Sequence, residues 1–397
     1  MKRTQHVALA VRSGVPYLQE SIEAILLYAR EQGNWQVTMG LEYWPVFSTK
    51  HLRGWDGDGI LAWVNTRSEA DVLTKLGIPA VNLSAALQDS SVPRVSLDDY
   101  AVGQVAAKHL CERGFRRFAH YATTGRWYAR QREAGFVDTV RADGGSCDLF
   151  HAGSKLTDYR AIRQHEEELR GWLVSLRPPV GVFATHDYRA RKLIDVCHRI
   201  GLRVPEDVAV VGVNNDRTVC EFTDPPLSSV ARNGGKVGRA AAELLDRLMA
   251  GGSADPADIL VPPEGVIPRA STDVIAIDDP VLAAAVQFIR EHLHEGINVH
   301  DVVRHSAVSR RSLERAFQNS FGTSPHVYLR QMRVQRAREL LSEGGKTSMD
   351  EIARACGFYD ARTLRKVFLR QTGISPRRFR TRAASEAKQA NQDQPGN

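Results

Sequence analysis

The sequence predicts two architectures in one chain: an α/β region of two lobes, then an all-α region holding two helix-turn-helix units. Three observations predict this. Residues 1–275 alternate short apolar runs with amphipathic stretches, the pattern of parallel strands covered by helices. From Pro280 the short runs stop and helical spacing takes over. Within that last region a pattern recurs, closing as GTSP at Gly322–Pro325 and as GISP at Gly373–Pro376.

Length and charge set the bounds. A chain of 397 residues exceeds one ordinary core, so several domains are expected: 1–275 as two lobes, 276–385 as the helical domain, and 386–397 as a disordered polar tail. Residues 276–397 hold 20 Lys+Arg against 13 Asp+Glu, a net of +7 that equals the excess of the whole chain. A basic module joined to a neutral one points to a polyanion partner. No apolar run approaches a membrane span, and the apolar stretch VALAV, ended by Arg12, is too short for a secretory signal, so a cytoplasmic protein is expected with no membrane partner. Five cysteines, widely spaced and without C-x-x-C, support neither a disulfide framework nor a zinc knuckle. There is no Walker loop, dinucleotide fingerprint or H-E-x-x-H, and His292 and His294 are too close in sequence to share a helix face. We therefore expect no catalytic residues, no metal and no cofactor.

In the first region, strands are expected at His6–Val11, Trp35–Leu41, Gly59–Val64, Ala80–Leu83, Arg117–Tyr121, Cys147–His151, Val180–Ala184 and Val208–Val213. Helices are expected at Leu18–Arg30, Asp99–Arg113, Arg130–Ala142, Asp158–Ser175 and Tyr188–Ile200. That is too many units for one modest sheet, hence two lobes. Ligands in such folds bind beyond the carboxyl ends of the strands. This singles out Arg12 and Ser13, Asp98, His186 and Asp187, and Asn214 to Asp216. Asp, Asn and Arg supply the planar paired donors and acceptors that a polyol needs, and Tyr17 or Trp127 could cover its apolar face. Asp98 and Asp187 also stand just before helices, where an acid serves equally as an N-cap.

The segments DGILAWV (Asp58–Val64), IPAVNLS (Ile78–Ser84), VSLDDYAVGQVAAKHLCERGFRRFAHY (Val95–Tyr121) and Thr185–Val230 resemble the LacI-type, periplasmic-binding-protein-like sensor. The resemblance implies sugar contacts at Asp98, at Arg132 in RQREAGF, at Asp187 and at Asn214, and Arg12 joins them from its place after the first strand. Asn214 departs from the usual Asp of that family.

Pro268–Asp279 is expected as a hinge. Beyond it, Leu282, Val286, Ile289 and Leu293 share one helix face. Asn298 can cap Val299–His305, Ala307 lies in a turn, and Ser309–Phe321 buries Leu313, Ala316 and Phe317 while exposing Arg310, Arg311 and Arg315. Pro325–Leu341 is one long helix. Ser348 and Glu351 have capping-box spacing for the next helix, Gly357 ends it, and a further helix turns Leu364, Val367 and Phe368 inward and Arg362, Arg365 and Lys366 outward. Two such units on a stiff connecting helix could enter successive major grooves, about 34 Å apart. Val281–Arg382 closely resembles the AraC-type DNA-binding domain, although Thr363-Leu364 replaces its usual Tyr-Phe. Arg310, Arg311, Arg315, Arg362, Arg365 and Lys366 are the expected DNA contacts. A sensor ahead of such a reader resembles the regulators of xylose operons. It implies operator DNA and a small sugar, D-xylose, as partners, a homodimer, and RNA polymerase if the regulator activates. An enzyme would need a catalytic pair in the cleft, as Asp98 and Asp187 could be imagined to form, and a turnover assay decides that. An architectural DNA protein would leave the two-lobed sensor unexplained. The same architecture could also answer to a different sugar or repress.

Overall fold

The computed structural model describes residues 3–11, 15–40, 47–152, 158–254, 258–274, 279–342 and 347–381. The chain divides into two compact units, Met1–Val274 and Ile275–Asn397.

The first unit opens with β1 (Gln5–Ala10), α1 (Pro16–Gln32), β2 (Trp35–Thr38), β3 (Gly59–Ala62), α2 (Arg67–Leu76), β4 (Ala80–Asn82) and β5 (Val95–Leu97). Four of these strands form a parallel sheet in the order β2-β1-β3-β4. The chain then builds the second lobe from α3 (Asp99–Cys111), β6 (Arg117–Thr123), α4 (Trp127–Ala142), β7 (Ser146–Ala152), α5 (Tyr159–Ser175), β8 (Val180–Ala184), α6 (Asp187–Arg199), β9 (Val208–Val213), α7 (Arg217–Glu221) and β10 (Ser228–Ala231). It returns as α8 (Gly234–Met249), which packs on α1, and as β11 (Ile259–Val261), parallel to β5. It crosses once more to β12 (Gly265–Ile267), antiparallel to β10, completing a six-stranded sheet in the order β12-β10-β9-β8-β6-β7. Crossings at 97–99, 231–234 and 261–265 therefore join the lobes. The central strands β3, β8 and β9 are buried at every residue, because helices cover both faces of a parallel sheet.

The expected strands and helices of this unit are present within a few residues. Seven elements were not anticipated: α2, β5, α7, β10, α8, β11 and β12. The hinge reading of Pro268–Asp279 needs correction. Ser271 and Thr272 are fully buried, and the Ser271 hydroxyl donates to the Val210 carbonyl at 2.7 Å. Residues 269–272 are thus part of the sensor, while 275–278 lie outside the described residues.

One close approach governs the second lobe. A Cβ on Gly103 of α3 would overlap the Arg132 carbonyl oxygen, and one on Gly135 of α4 would overlap the Tyr100 carbonyl oxygen. Only glycine lets these helices touch backbone to backbone. This brings Arg132 against Asp99.

The second unit contains α9 (Pro280–Glu291), α10 (Val299–Ser306), α11 (Arg310–Phe321), α12 (Pro325–Ser342), α13 (Met349–Ala355) and α14 (Ala361–Thr372), and residues 376–381 are again helical. It has two cores. Leu282, Val286, Ile289, Val302, Leu313 and Phe317 belong to one; Ile352, Ala353, Cys356, Leu364 and Phe368 belong to the other. Capping boxes form at Asn298–Asp301 and at Ser348–Glu351. The two halves are tied across α12. Arg333 donates from Nη2 to the Ile297 carbonyl at 2.6 Å and lies over the Phe358 ring at 5.8 Å. Gly357, at φ 71°, sits so close to the Leu293 carbonyl that any side chain there would collide. The tail expected at 386–397 lies outside the described residues.

Candidate functional site

The first candidate site lies between the lobes, at the carboxyl ends of the parallel strands. The N-terminal turn of α4 is docked on the loop that follows β4: Trp127 N–H donates to Ala86 at 3.0 Å and Tyr128 N–H to Ala85 at 2.9 Å. Arg126 reaches the Asn65 carbonyl at 3.2 Å. One wall comes from the first lobe, where Tyr17 and Trp63 pack at 6.0 Å. The other comes from the second lobe. There Arg132 lies over the Tyr128 ring at 5.1 Å, and the Tyr128 hydroxyl hydrogen-bonds His186 Nε2 at 3.0 Å.

Arg132 is 2 % exposed. Its Nε donates to Asp99 Oδ1 at 2.8 Å and its Nη1 to the Thr185 carbonyl at 2.6 Å, which fixes the plane of the guanidinium. Burial pushes the Asp99 carboxyl up, against the pull of Arg132. Burial, then the charges of Arg132, Arg189 and Arg232, holds His186 well below its ordinary value, so it is neutral at pH 7.

The other expected contacts divide. Asn214 stands at the end of β9 with φ 111° and accepts from Arg232 Nη1 at 3.4 Å. Asp98 caps α3, accepting from the Ala101 N–H at 2.9 Å. Asp187 has no exposed surface; it accepts from the Asp216 N–H at 2.8 Å and from the Ser229 hydroxyl at 2.6 Å. Its carboxylate thus ties together the loop after β9 and the strand β10, and burial pushes it up to about 7. Arg12 lies outside the described residues. Arg232, which follows β10, was not anticipated. It lies over Tyr17 at 5.2 Å and so connects that wall to Asn214. The strand-end rule would have found it had the short strand SSVA been recognised.

The second candidate site is the cationic face of the helical unit. Arg310, Arg311 and Arg315 on α11 are exposed, as are Arg362, Arg365 and Lys366 on α14. Each set stands opposite a buried anchor: Leu313 and Phe317, or Leu364 and Phe368. Arg310 pairs with Glu314 at 2.9 Å. Among the described residues, the other five form no ion pair. The second core is complete with Leu364, fully buried, where the resembling domain has an aromatic residue.

A periplasmic binding protein-like domain matches residues 107–272, and a helix-turn-helix domain matches 302–382. The xylose operon regulatory protein of Escherichia coli (strain K12) is 28 % identical over 386 residues, covering 95 % of this chain and 97 % of that protein. Its counterpart in Haemophilus influenzae is 28 % identical over 388 residues, covering 94 % and 97 %. Among solved structures, a xylose-binding transcription activator is 27 % identical with a TM-score of 0.61, covering 96 % of this chain and 98 % of the other. A cellobiose complex of the regulator CelR is 25 % identical with a TM-score of 0.55, covering 68 % of this chain and 85 % of the other. The chain thus joins a periplasmic binding protein-like domain to a helix-turn-helix domain, the architecture of an AraC-type DNA-binding transcription regulator with a sugar sensor.

Proposed function

We propose that this regulator activates a pentose-utilisation operon, with D-xylose as the reference effector. It acts in the cytoplasm, binds operator DNA as a homodimer and contacts RNA polymerase when it activates. The observation that carries the reading is similarity to xylose operon regulatory proteins along both units rather than one. The cleft supports it chemically. Planar donors and acceptors from Arg132 and Asn214, with aromatic faces from Tyr17, Trp63 and Tyr128, suit a polyol. Asp98 and Asp187 would act behind them, through α3 and through the loop after β9. On the reader helices, Arg311, Arg315, Arg362, Arg365 and Lys366 contact DNA, arginine against guanine edges for sequence and the remaining cations against phosphate for register. Residues 1–275 would be the sensor and 276–385 the reader.

The test is thermal melting of the full chain against a panel of pentoses and hexoses. A sugar at about 100 times its dissociation constant adds roughly 2.7 kcal/mol to the stability of the sensor. Xylose should raise the melting temperature above the other neutral sugars. A melt that no sugar or sugar derivative moves would remove the sensor reading and leave only the DNA-binding half.

A further inference from the structure

Arg232 carries more positive charge into the cleft than a neutral sugar requires. It follows β10 at a crossing between the lobes, and its Nε is buried with no hydrogen-bond partner among the described residues. It also forms no ion pair among them. Its bond to Asn214 is long, 3.4 Å, and ends on a neutral amide. The carboxylates whose charge reaches it are committed elsewhere: Asp99 accepts from Arg132, and Glu20 accepts from the Gly234 N–H at 3.0 Å. Asp216, two residues beyond Asn214, caps α7 and takes the Tyr188 hydroxyl at 3.2 Å. Among the described residues, Arg132 and Arg232 both bring guanidiniums to the cleft, and the Asp99 carboxylate is bonded to the first of them.

We propose that the natural effector is a sugar derivative bearing an anionic group, a carboxylate or a phosphate, seated between Arg232 and Arg132. The inference rests on the sensor reading and narrows it. Arg232 is half-buried, with its Nε shut off from solvent; a cation so placed without a counter-charge is costly, and an anion entering with the ligand lowers that cost. Arg132 is already oriented by Asp99 and Thr185, so it loses little freedom on binding. Arg232 can turn its fork from the Asn214 amide to a ligand oxyanion, which it can grip bidentately. Burial, then the nearby Arg132 charge, lowers the Arg232 guanidinium from its ordinary value, as expected where two cations face a site with too few anions. Arg232 covers one face of Tyr17, and the part-buried Trp63 ring beside it is the apolar surface for the sugar carbons.

The test is isothermal titration of the full chain with D-xylose, L-arabinose and D-galactose, each beside its aldonate and its terminal phosphate ester. One acidic member should bind about tenfold or more tightly than its neutral parent, the gain expected of a charge-assisted hydrogen bond. Preference for the aldonate would identify a sugar acid; preference for the ester would identify a sugar phosphate. Arg232→Gln should abolish the acid-to-parent ratio, and Arg232→Lys should retain most of it. If Arg232→Gln does not fold, the wild-type ratio decides, together with its decline at raised salt. A neutral parent that binds as well as or better than both derivatives would overturn the inference and leave the sensor reading standing. Absence of binding by every member would remove both.

Discussion

Buried polar side chains set how this protein meets acid. Burial pulls His109 to about 2 and His120 to about 3, and it holds His186 well below the ordinary imidazole value. In the unfolded chain each takes up a proton near pH 6.5; in the folded chain it does not. The unfolded state therefore binds more protons below pH 6.5, and stability falls on acidification by about 1.4 kcal/mol per pH unit for each histidine. Asp187 works the other way. With a folded value of about 7, it keeps a proton that the unfolded chain has released above pH 4, so its share of stability grows as pH falls toward 4. His165 is lowered by burial as well, so four histidines oppose the raised carboxyls of Asp99, Asp187 and Glu264, and urea unfolding at pH 5.5 should show a less stable sensor than at pH 7.5. Equal stability at the two pH values would contradict this account. None of these burials is legible in the sequence. His120 lies in the strand RFAHYAT between Phe136 and Phe183, and only the packing of α4 against the sheet encloses it.

At the scale of elements, local signals were the dependable ones. The boxes at Asn298–Asp301 and Ser348–Glu351, the left-handed Ala307 and Gly357, and the inward triplet of α14 each depend on residues within one turn. Of the missed elements, α2 carried the same signal, a Thr66–Glu69 capping box closed by Gly77, and was legible in the sequence; β10 and α8 lacked one. β10 reads SSVA, with two serines of weak strand preference, and is a strand because β9 and β12 flank it. α8 begins with two glycines, yet holds because its Val237, Ala241 and Leu245 face is buried in the first lobe. The two faces of α14 give opposite expectations. Leu364→Ala should cost about 2–5 kcal/mol of stability in the helical unit, because the fully buried site cannot collapse completely. Arg365→Ala should leave unfolding unchanged. It should weaken operator binding and lower the salt slope of that binding by about one phosphate contact. Urea melts and operator anisotropy at several salt concentrations separate the two. A stability loss in Arg365→Ala would give that side chain a structural role, and an unchanged salt slope would remove it from the phosphate contacts.

For the whole molecule, a sensor and a reader in one chain imply a coupling that must be reciprocal. If effector tightens operator binding by some factor, operator must tighten effector binding by the same factor, about 5- to 150-fold in typical regulators. Operator anisotropy with and without effector, and effector titration with and without operator, should return one number. Two different numbers would mean that the linked equilibrium includes a further step, such as association of protomers. Sequence similarity over nearly the full length of the xylose operon regulators makes this the natural expectation.

Composition, periodicity and motif spacing by themselves determined the two-unit plan, the strand-helix alternation, the basic last third and the repeated reader unit. Those features arise from interactions within a few residues, or from averages over many. Tertiary structure alone decided which strand ends meet. It turned Asp187 onto Ser229 and the Asp216 amide rather than onto the start of α6, and brought Arg232 beside Arg132 from 100 residues away in the chain. Charge and burial at a site are sums over neighbours in space, and the fold, not the order of residues, chooses those neighbours.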